Sequence, residues 1–519
     1  MKLYRGFVTV GAMTILSRML GFVRDVLIAA VLGTSFVADA FFVAFRVPNM
    51  FRRLFAEGAF DAAFVPLFAR RMHTDGLEAA RAFAGQALSG LTFILVAFTI
   101  LGEIAMPWLM LLLAPGFRDD PEKFALVMLL ARIALPYLVC MSLVALYTGV
   151  LNALGRFAIA AFTPSLLNIV LIAVLLALVA TGNVDRGHAG VVLAWGVAVS
   201  GVLQIVVIGF AAARFGVSVP FKRPRLTPEM QRLIALAAPG IVAGGIGQLT
   251  GVISTIIATF QDRVVSWLYY ADRIFQLPLG VIGVAVGVVL LPDLSHKLRT
   301  GDLRAVIASE NRALEFALLL TLPAATALLI AATPIMRVLF EHGAFTAADT
   351  EATAKMLAAL ALGLPAYVLI KVLHPSFFAR EDTKRPMVFA AISMALNVVL
   401  SFALFMAVGG TGIAIATTLS GWVNVGLLVA CLEGRGEFAL DATFRRALLG
   451  ILAATVSMGG ALLAIARQLE PYFAPEYGIP AQAAALLVLV AGGLLIYLAA
   501  AELFGAAKWR NLLKDIRAQ

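Results

Sequence analysis

Residues 159–181, IAAFTPSLLNIVLIAVLLALVAT, run without a charge, and so do residues 386–408, PMVFAAISMALNVVLSFALFMAV. Each is long enough for the about 20 helical residues that cross about 30 Å of hydrocarbon. Both follow a basic turn, Gly155-Arg156-Phe157 in the first case and Lys384-Arg385-Pro386 in the second. Asn168-Ile169-Val170-Leu171 lies over Asn397-Val398-Val399-Leu400, and Leu135-Pro136 over Leu364-Pro365, at one common offset. Upstream, Arg46 lies over Arg273 and Pro66 over Pro292, the register drifting by a few residues as insertions would make it. The chain therefore reads as a repeat with an offset of about 228 residues. About six spans per repeat, an even number, start both halves from the same membrane side, so the expected relation is a pseudo-two-fold along the membrane normal.

Working outward, the remaining apolar runs suggest about fourteen spans in all, from 7–31 to 481–504. The 519 residues are 62% hydrophobic and 13% charged, with a mean hydropathy of +0.97, against about 25% charged in a soluble globular chain. That excludes a soluble enzyme and leaves no room for a sizeable soluble domain. The expected fold is an all-α membrane protein: a six-helix lobe over 1–220, a second over 221–440, and two extra helices with a cytoplasmic tail over 441–519. The basic, proline-bearing stretch Arg214 to Arg232 is the linker between lobes.

The formal net charge of +10 follows topology rather than a nucleic-acid site. With the N-terminus cytoplasmic, about 25 Lys and Arg residues fall on the termini and cytoplasmic loops against about 7 on the opposite side. Cys140 and Cys431 both lie inside apolar runs and read as small buried hydrophobes. The first run is too long for a signal-peptide core and reads as a retained span.

Some charges lie where hydrocarbon should be. Arg18, Arg24, Arg46, Arg52, Arg53, Arg132, Arg273 and Lys371 fall within or at the edges of spans, at about 2.5 to 3.5 kcal/mol each if they faced lipid at depth. Arg53 and Arg132 sit near span ends and read as snorkelling or structural residues. Arg18, Arg24, Arg52 and Arg273 are too deep or too clustered for that and read as ligands. Arg18 and Asp25 are seven apart on one helical face, and Ser17, Gly21 and Arg24 form the neighbouring one. On the second span Asp39, Arg46 and Arg53 recur every seven residues, with Phe45, Asn49 and Arg52 beside them. The expected site is a cationic central cavity of Arg18, Arg24, Arg52 and Arg273, with Asp25, Asp39, Ser17 and Asn49 in support. A guanidinium fork matches two phosphate oxygens at once, so a phosphate or pyrophosphate ligand is favoured. A cationic-drug exporter would need carboxylates in excess.

No Gly-Lys pair occurs, which removes a nucleotide-hydrolysing phosphate loop, and the five histidines lack metal-ligand spacing. The expectation is a transporter, not an enzyme, with no cofactor and no metal.

The stretch Ser17-Arg18-Met19-Leu20-Gly21-Phe22-Val23-Arg24-Asp25, with Asp39-Ala40-Phe41, Arg46-Val47-Pro48-Asn49, Arg52 through Phe60, and Phe64-Val65-Pro66, closely resembles the signature of the MurJ (MviN) lipid II flippases. These belong to the superfamily of multidrug, oligosaccharidyl-lipid and polysaccharide exporters. Tyr269-Tyr270-Ala271-Asp272-Arg273 and Leu291-Pro292 resemble the family's eighth-span motif. The resemblance implies a multi-pass bacterial inner-membrane protein with both termini cytoplasmic. It would carry lipid II, the undecaprenyl-pyrophosphate-linked peptidoglycan precursor, from the cytoplasmic to the periplasmic leaflet. It carries the essential cavity arginines onto Arg18, Arg24, Arg52 and Arg273, with Asp25 and Asp39 beside them, and a lipid-tail groove onto the two extra spans. Implied partners are lipid II, membrane lipids and cell-wall synthesis proteins, with the chain itself a monomer. Some members carry a sodium site on carboxylates of spans seven and eleven; here span seven has none and span eleven offers Asn397 and Ser401, so sodium coupling is not expected. The alternatives are a flippase for another polyprenyl-pyrophosphate oligosaccharide and a multidrug exporter.

Overall fold

The computed structural model describes residues 2–506 except 56–58, 183–184, 218, 222 and 300–301; the side chains of 2–8, 51–55, 59, 61, 241–247, 283–293, 295, 298–299 and 303 also lie outside the described residues. Among these residues the chain is helical, with no strand. It divides into two compact units, Met1–Ser266 with Gly343–Phe345, and Trp267–His342 with Thr346–Gln519.

The first unit holds α1 (Lys2–Leu32), α2 (Phe36–Phe55), α3 (Ala59–Ile104), α4 (Met106–Leu113), α5 (Pro121–Ala134), α6 (Tyr137–Ala153), α7 (Phe157–Phe162), α8 (Ser165–Ala180), α9 (Arg186–Arg214) and α10 (Pro228–Ala258). Within it α1 packs on α8, α8 on α9, α9 on α6, α6 on α3, and α2 on α5. α11 (Val264–Arg299) starts at the end of this unit and runs into the second. The second unit continues with α12 (Leu303–Ile330), α13 (Ala332–Phe340), α14 (Ala347–Ala361), α15 (Leu364–Phe378), α16 (Lys384–Val408), α17 (Thr411–Gly434), α18 (Ala442–Leu469) and α19 (Gly478–Leu503). Here α16 and α17 pack together, α17 packs on α14 and α15, and the C-terminal pair α18 and α19 joins through α12.

Ten helical segments among the described residues are long and apolar enough to cross a membrane. α1, α2, α10 and α11 are outside that set: α1 carries Arg18, Arg24 and Asp25, α2 carries Asp39, Arg46, Arg52 and Arg53, and parts of α10 and α11 lie outside the described side chains. The ten include the uncharged runs at 159–181 and 386–408, as α7 with α8 and as α16.

The repeat is visible in how helices break. Pro136 has no N–H to donate, and α5 stops at Ala134 before α6 resumes at Tyr137. At the equivalent place α14 stops at Ala361, and α15 begins at Leu364 with Pro365 in its first turn. Between unit elements, polar caps end the helices: Asp120 accepts from the backbone N–H of Glu122 and Lys123 to start α5, and Thr346 and Asp349 form a capping box at α14.

One stretch differs from expectation. With apolar runs at 36–56 and 83–113, the charged stretch between them is expected to be a loop, but α3 runs through from Ala59, interrupted only at Gly76, whose φ of 84° lies outside helical space. Phe60, Phe64 and Phe68 recur every four residues and stack at 5.3 and 5.8 Å between ring centroids, and Phe64 stacks on Phe83 across the interruption at 5.7 Å. That aromatic face forms a core with Leu146, Val150, Val217 and Val219. The start of the linker is therefore pinned rather than free. Gly85 is required there, because a Cβ would come within 2.3 Å of the Pro220 carbonyl oxygen.

Candidate substrate-binding site

α1 carries a buried, fully engaged ion pair at Arg24 and Asp25. Arg24 is 5% exposed and its neighbour Asp25 1% exposed. Arg24 donates through Nε at 3.0 Å and Nη2 at 2.7 Å to one oxygen of Asp25, and through Nη1 at 2.9 Å to Oδ1 of Asn168 on α8. The other end of the Asn168 amide donates to the Ser17 carbonyl at 3.1 Å. α8 is otherwise almost wholly apolar, so a lone Asn on it gains most by turning toward the one polar stripe nearby. Ser17, Gly21 and Arg24 form that stripe, and the Asn168 amide lies over Gly21. Ser17 contributes its carbonyl to this arrangement.

Arg18 and Asp25, seven apart, do not share an environment: Arg18 is exposed whereas Asp25 is buried. On α2, Asn49 is half-buried and donates back to the Phe45 carbonyl at 3.0 Å. Arg46 is exposed, its guanidinium resting where a Cβ on Gly251 of α10 would be. Arg52 falls on α2 in a stretch whose side chains lie outside the described residues.

Asp39 sits in a second cluster of the first unit. It is fully buried and accepts from the Arg263 N–H at 2.9 Å, the Ser266 N–H at 3.0 Å and the Ser266 hydroxyl at 2.6 Å. It thereby caps the start of α11. Lys123 is 2% exposed and bridges Asp39 at 3.4 Å and Asp262 at 2.8 Å, with its ammonium 4.2 Å from the Phe117 ring centroid. Its local signal is the N-cap: Asp120 starts α5, which puts Lys123 in the first turn and aims it along α2.

In the second unit Arg273 is half-buried on α11, donating through Nη2 to the Tyr269 hydroxyl at 2.7 Å with its guanidinium 4.7 Å from the same ring's centroid. Asp272 accepts from Gln276, while Tyr270 is buried against Phe340 at 5.2 Å between centroids. The motif thus divides by face: Tyr270 and Ala271 anchor the helix, and Tyr269 holds the arginine.

A further ionic cluster of the second unit was not legible. Arg380 reaches Glu310 at 3.5 Å and Glu437 at 3.3 Å, and Arg435 reaches Asp382 at 2.5 Å and Glu437 at 3.6 Å. Arg435 reads in sequence as a topology charge, yet its side chain is largely covered, with the Phe377 ring 5.6 Å away. Glu310, on α12, lies in sequence far from every partner it meets.

The family profile of "Lipid II flippase MurJ" matches residues 28–480. The chain belongs to the MurJ family. A relative in Rhizobium meliloti (strain 1021), named probable lipid II flippase MurJ, is 45% identical over 518 residues, covering 100% of this chain and 97% of its own. The lipid II flippase MurJ of Burkholderia cenocepacia is 34% identical over 469 residues, covering 89% of each. Among solved structures, a lipid II flippase MurJ in an inward closed conformation superposes with a TM-score of 0.77 at 27% identity, over 98% of this chain and 100% of its own. A MATE-family multidrug transporter in an inward-facing conformation superposes at 0.66 and 14% identity, over 82% of this chain and 97% of its own, a likeness of fold alone. MurJ membership makes this a multi-pass bacterial membrane transporter.

Proposed function

We propose that the chain is a lipid II flippase of the bacterial inner membrane, with both termini cytoplasmic. It would act as a monomer that carries the undecaprenyl-pyrophosphate headgroup from the cytoplasmic to the periplasmic leaflet by alternating access. Family membership over nearly the whole chain supports the substrate. The observation that carries the residue-level reading is the Arg24 guanidinium, held on three of its N–H groups by Asp25 and Asn168 inside a membrane helix. A guanidinium so fixed has lost its rotamer freedom before a ligand arrives, and a planar fork matches pyrophosphate oxygens. The exposed Arg18, together with Arg52 and with Arg273 steadied by Tyr269, would supply the remaining charge. The chain forms and breaks no covalent bond in this reading, and no cofactor enters it.

The test is a strain depleted of its own flippase. Expression of this chain should restore growth and return lipid II to the periplasmic leaflet, measured by its accessibility to a reagent that cannot cross the membrane. Growth without exported lipid II, or export of a different polyprenyl-pyrophosphate in its place, would reject the assignment.

A further inference from the structure

We infer that Asn168 is a positioning residue for Arg24, its side-chain amide holding the guanidinium fork in one orientation on α1; the role rests on Arg24 being a pyrophosphate ligand. Asn168 is 7% exposed on α8, whose sequence SLLNIVLIAVLLALVA has only Ser165 as a second polar residue. Both ends of its amide are engaged, and chemistry fixes which way round. A guanidinium only donates and a carbonyl only accepts, so Oδ1 must face Arg24 and Nδ2 must face the Ser17 oxygen. Asn meets both needs without charge. Asp at this position would leave the Ser17 carbonyl without a donor and set a second carboxylate beside Asp25, and Leu would offer neither contact.

A purely packing role needs only the clamp from Nδ2 to Ser17. The bond from Arg24 Nη1 at 2.9 Å adds what packing does not require. Asp25 accepts from Nε and Nη2 through a single oxygen of the neighbouring residue on the same helix. The Nη1 contact comes from a different helix and fixes the guanidinium from a second direction.

The experiment is a double-mutant cycle on the purified full-length chain, with lipid II titrated by native mass spectrometry and a thermal melt recorded for each variant. Asn168→Leu should raise the lipid II Kd about tenfold where Arg24 is present, as loss of one charge-assisted contact would. In an Arg24→Ala background the same change should alter Kd by less than about twofold, because the group it positions is gone. Asn168→Ser, which is smaller and avoids overpacking, should behave the same way. An equal fold-loss in both backgrounds would mean that Asn168 only packs α8 on α1, and the inference falls. If Arg24→Ala weakens binding while both Asn168 variants bind as the parent does, the positioning role falls alone. If Arg24→Ala binds lipid II as the parent does, the ligand reading of Arg24 falls and takes the Asn168 role with it.

Discussion

Asn168 and Asn397 occupy the same slot in the two halves of the chain, yet their amides meet different chemistry. Asn168 closes on an arginine and a backbone carbonyl. Asn397 donates to the hydroxyls of Thr417 at 3.4 Å and Ser420 at 3.2 Å, and its Oδ1 has no hydrogen-bond partner among the described residues. The surroundings follow suit: Ser393 donates to the Ser420 carbonyl at 2.6 Å, so the slot on α16 and α17 is lined by neutral groups. The same contrast recurs at Asp39. At the register that lays Arg46 over Arg273, Asp39 lies over Ser266, the residue whose hydroxyl and N–H it accepts from. One backbone plan was kept in both halves, while buried charge at these positions was confined to the first. Forming the helices does not require charge at these two positions, since the second half builds its helices with neutral groups there.

The largest expected effect is on Asp39. Asp39→Asn should cost about 3 to 5 kcal/mol of stability, because Lys123 keeps only the exposed Asp262 and the cap of α11 weakens. Membrane protein level and thermal melting check it. Adding Lys123→Met should recover most of the loss; no recovery would mean that the helix cap, not the charge pair, dominates.

Next come the arginines. Arg24→Ala and Arg273→Ala should each remove a charge-assisted contact of about 1.5 to 3 kcal/mol and cripple flipping; Arg273→Ala should hold its membrane level, whereas Arg24→Ala takes a partner from the buried Asp25 and should also lower the melting temperature, so flipping is compared at matched protein level. Lysine at either position keeps charge but not the fork, and should restore only part of the activity in a complementation assay. Full activity with lysine would mean that field, not geometry, governs the ligand.

A smaller effect separates the two asparagines. Asn397→Leu should change stability by about 1 kcal/mol or less, since its two hydrogen bonds are long and to neutral groups, and should leave the lipid II Kd unchanged. A loss of affinity matching that at Asn168 would erase the contrast between the halves.

Two arginines flanking the turn between α17 and α18 give the smallest expected effects. Arg435→Ala should cost about 1 kcal/mol, because its side chain is largely covered and paired with Asp382 and Glu437. Arg445 is exposed and donates to the Leu440 carbonyl, so Arg445→Ala should stay within about 0.5 kcal/mol. Thermal melts of the two variants side by side decide this.

What the sequence reveals follows the range of the interaction. Helix breaks at Pro136 and Pro365 are local, since a missing N–H acts on its own helix, and the repeat made them legible twice over. The Ser17, Gly21 and Arg24 stripe was legible from helical spacing, whereas the pairing of Asn168 with it was not, because the two lie on helices far apart in sequence. The helix at 59–75 was not, because four-residue recurrence of phenylalanine beside Arg70 and Arg71 reads equally as a polar loop between spans. Nor was the depth of Lys123: its partners lie on α2 and before α11, and a charge next to a turn gives no sign of which distant carboxylate will cover it. Arg435 misleads for the same reason, since Asp382 and the Phe377 ring reach it from the end of α15 and the turn after it.

If arginines on α1, α2 and α11 carry lipid II across the membrane, leaflet accessibility of lipid II in cells that depend on this chain reports it directly. With Arg18, Arg24, Arg52 and Arg273 all changed to alanine and the protein present at parental levels, lipid II should stay on the cytoplasmic side, while the parent exports it. Export at the parental rate by the fourfold variant would contradict the account.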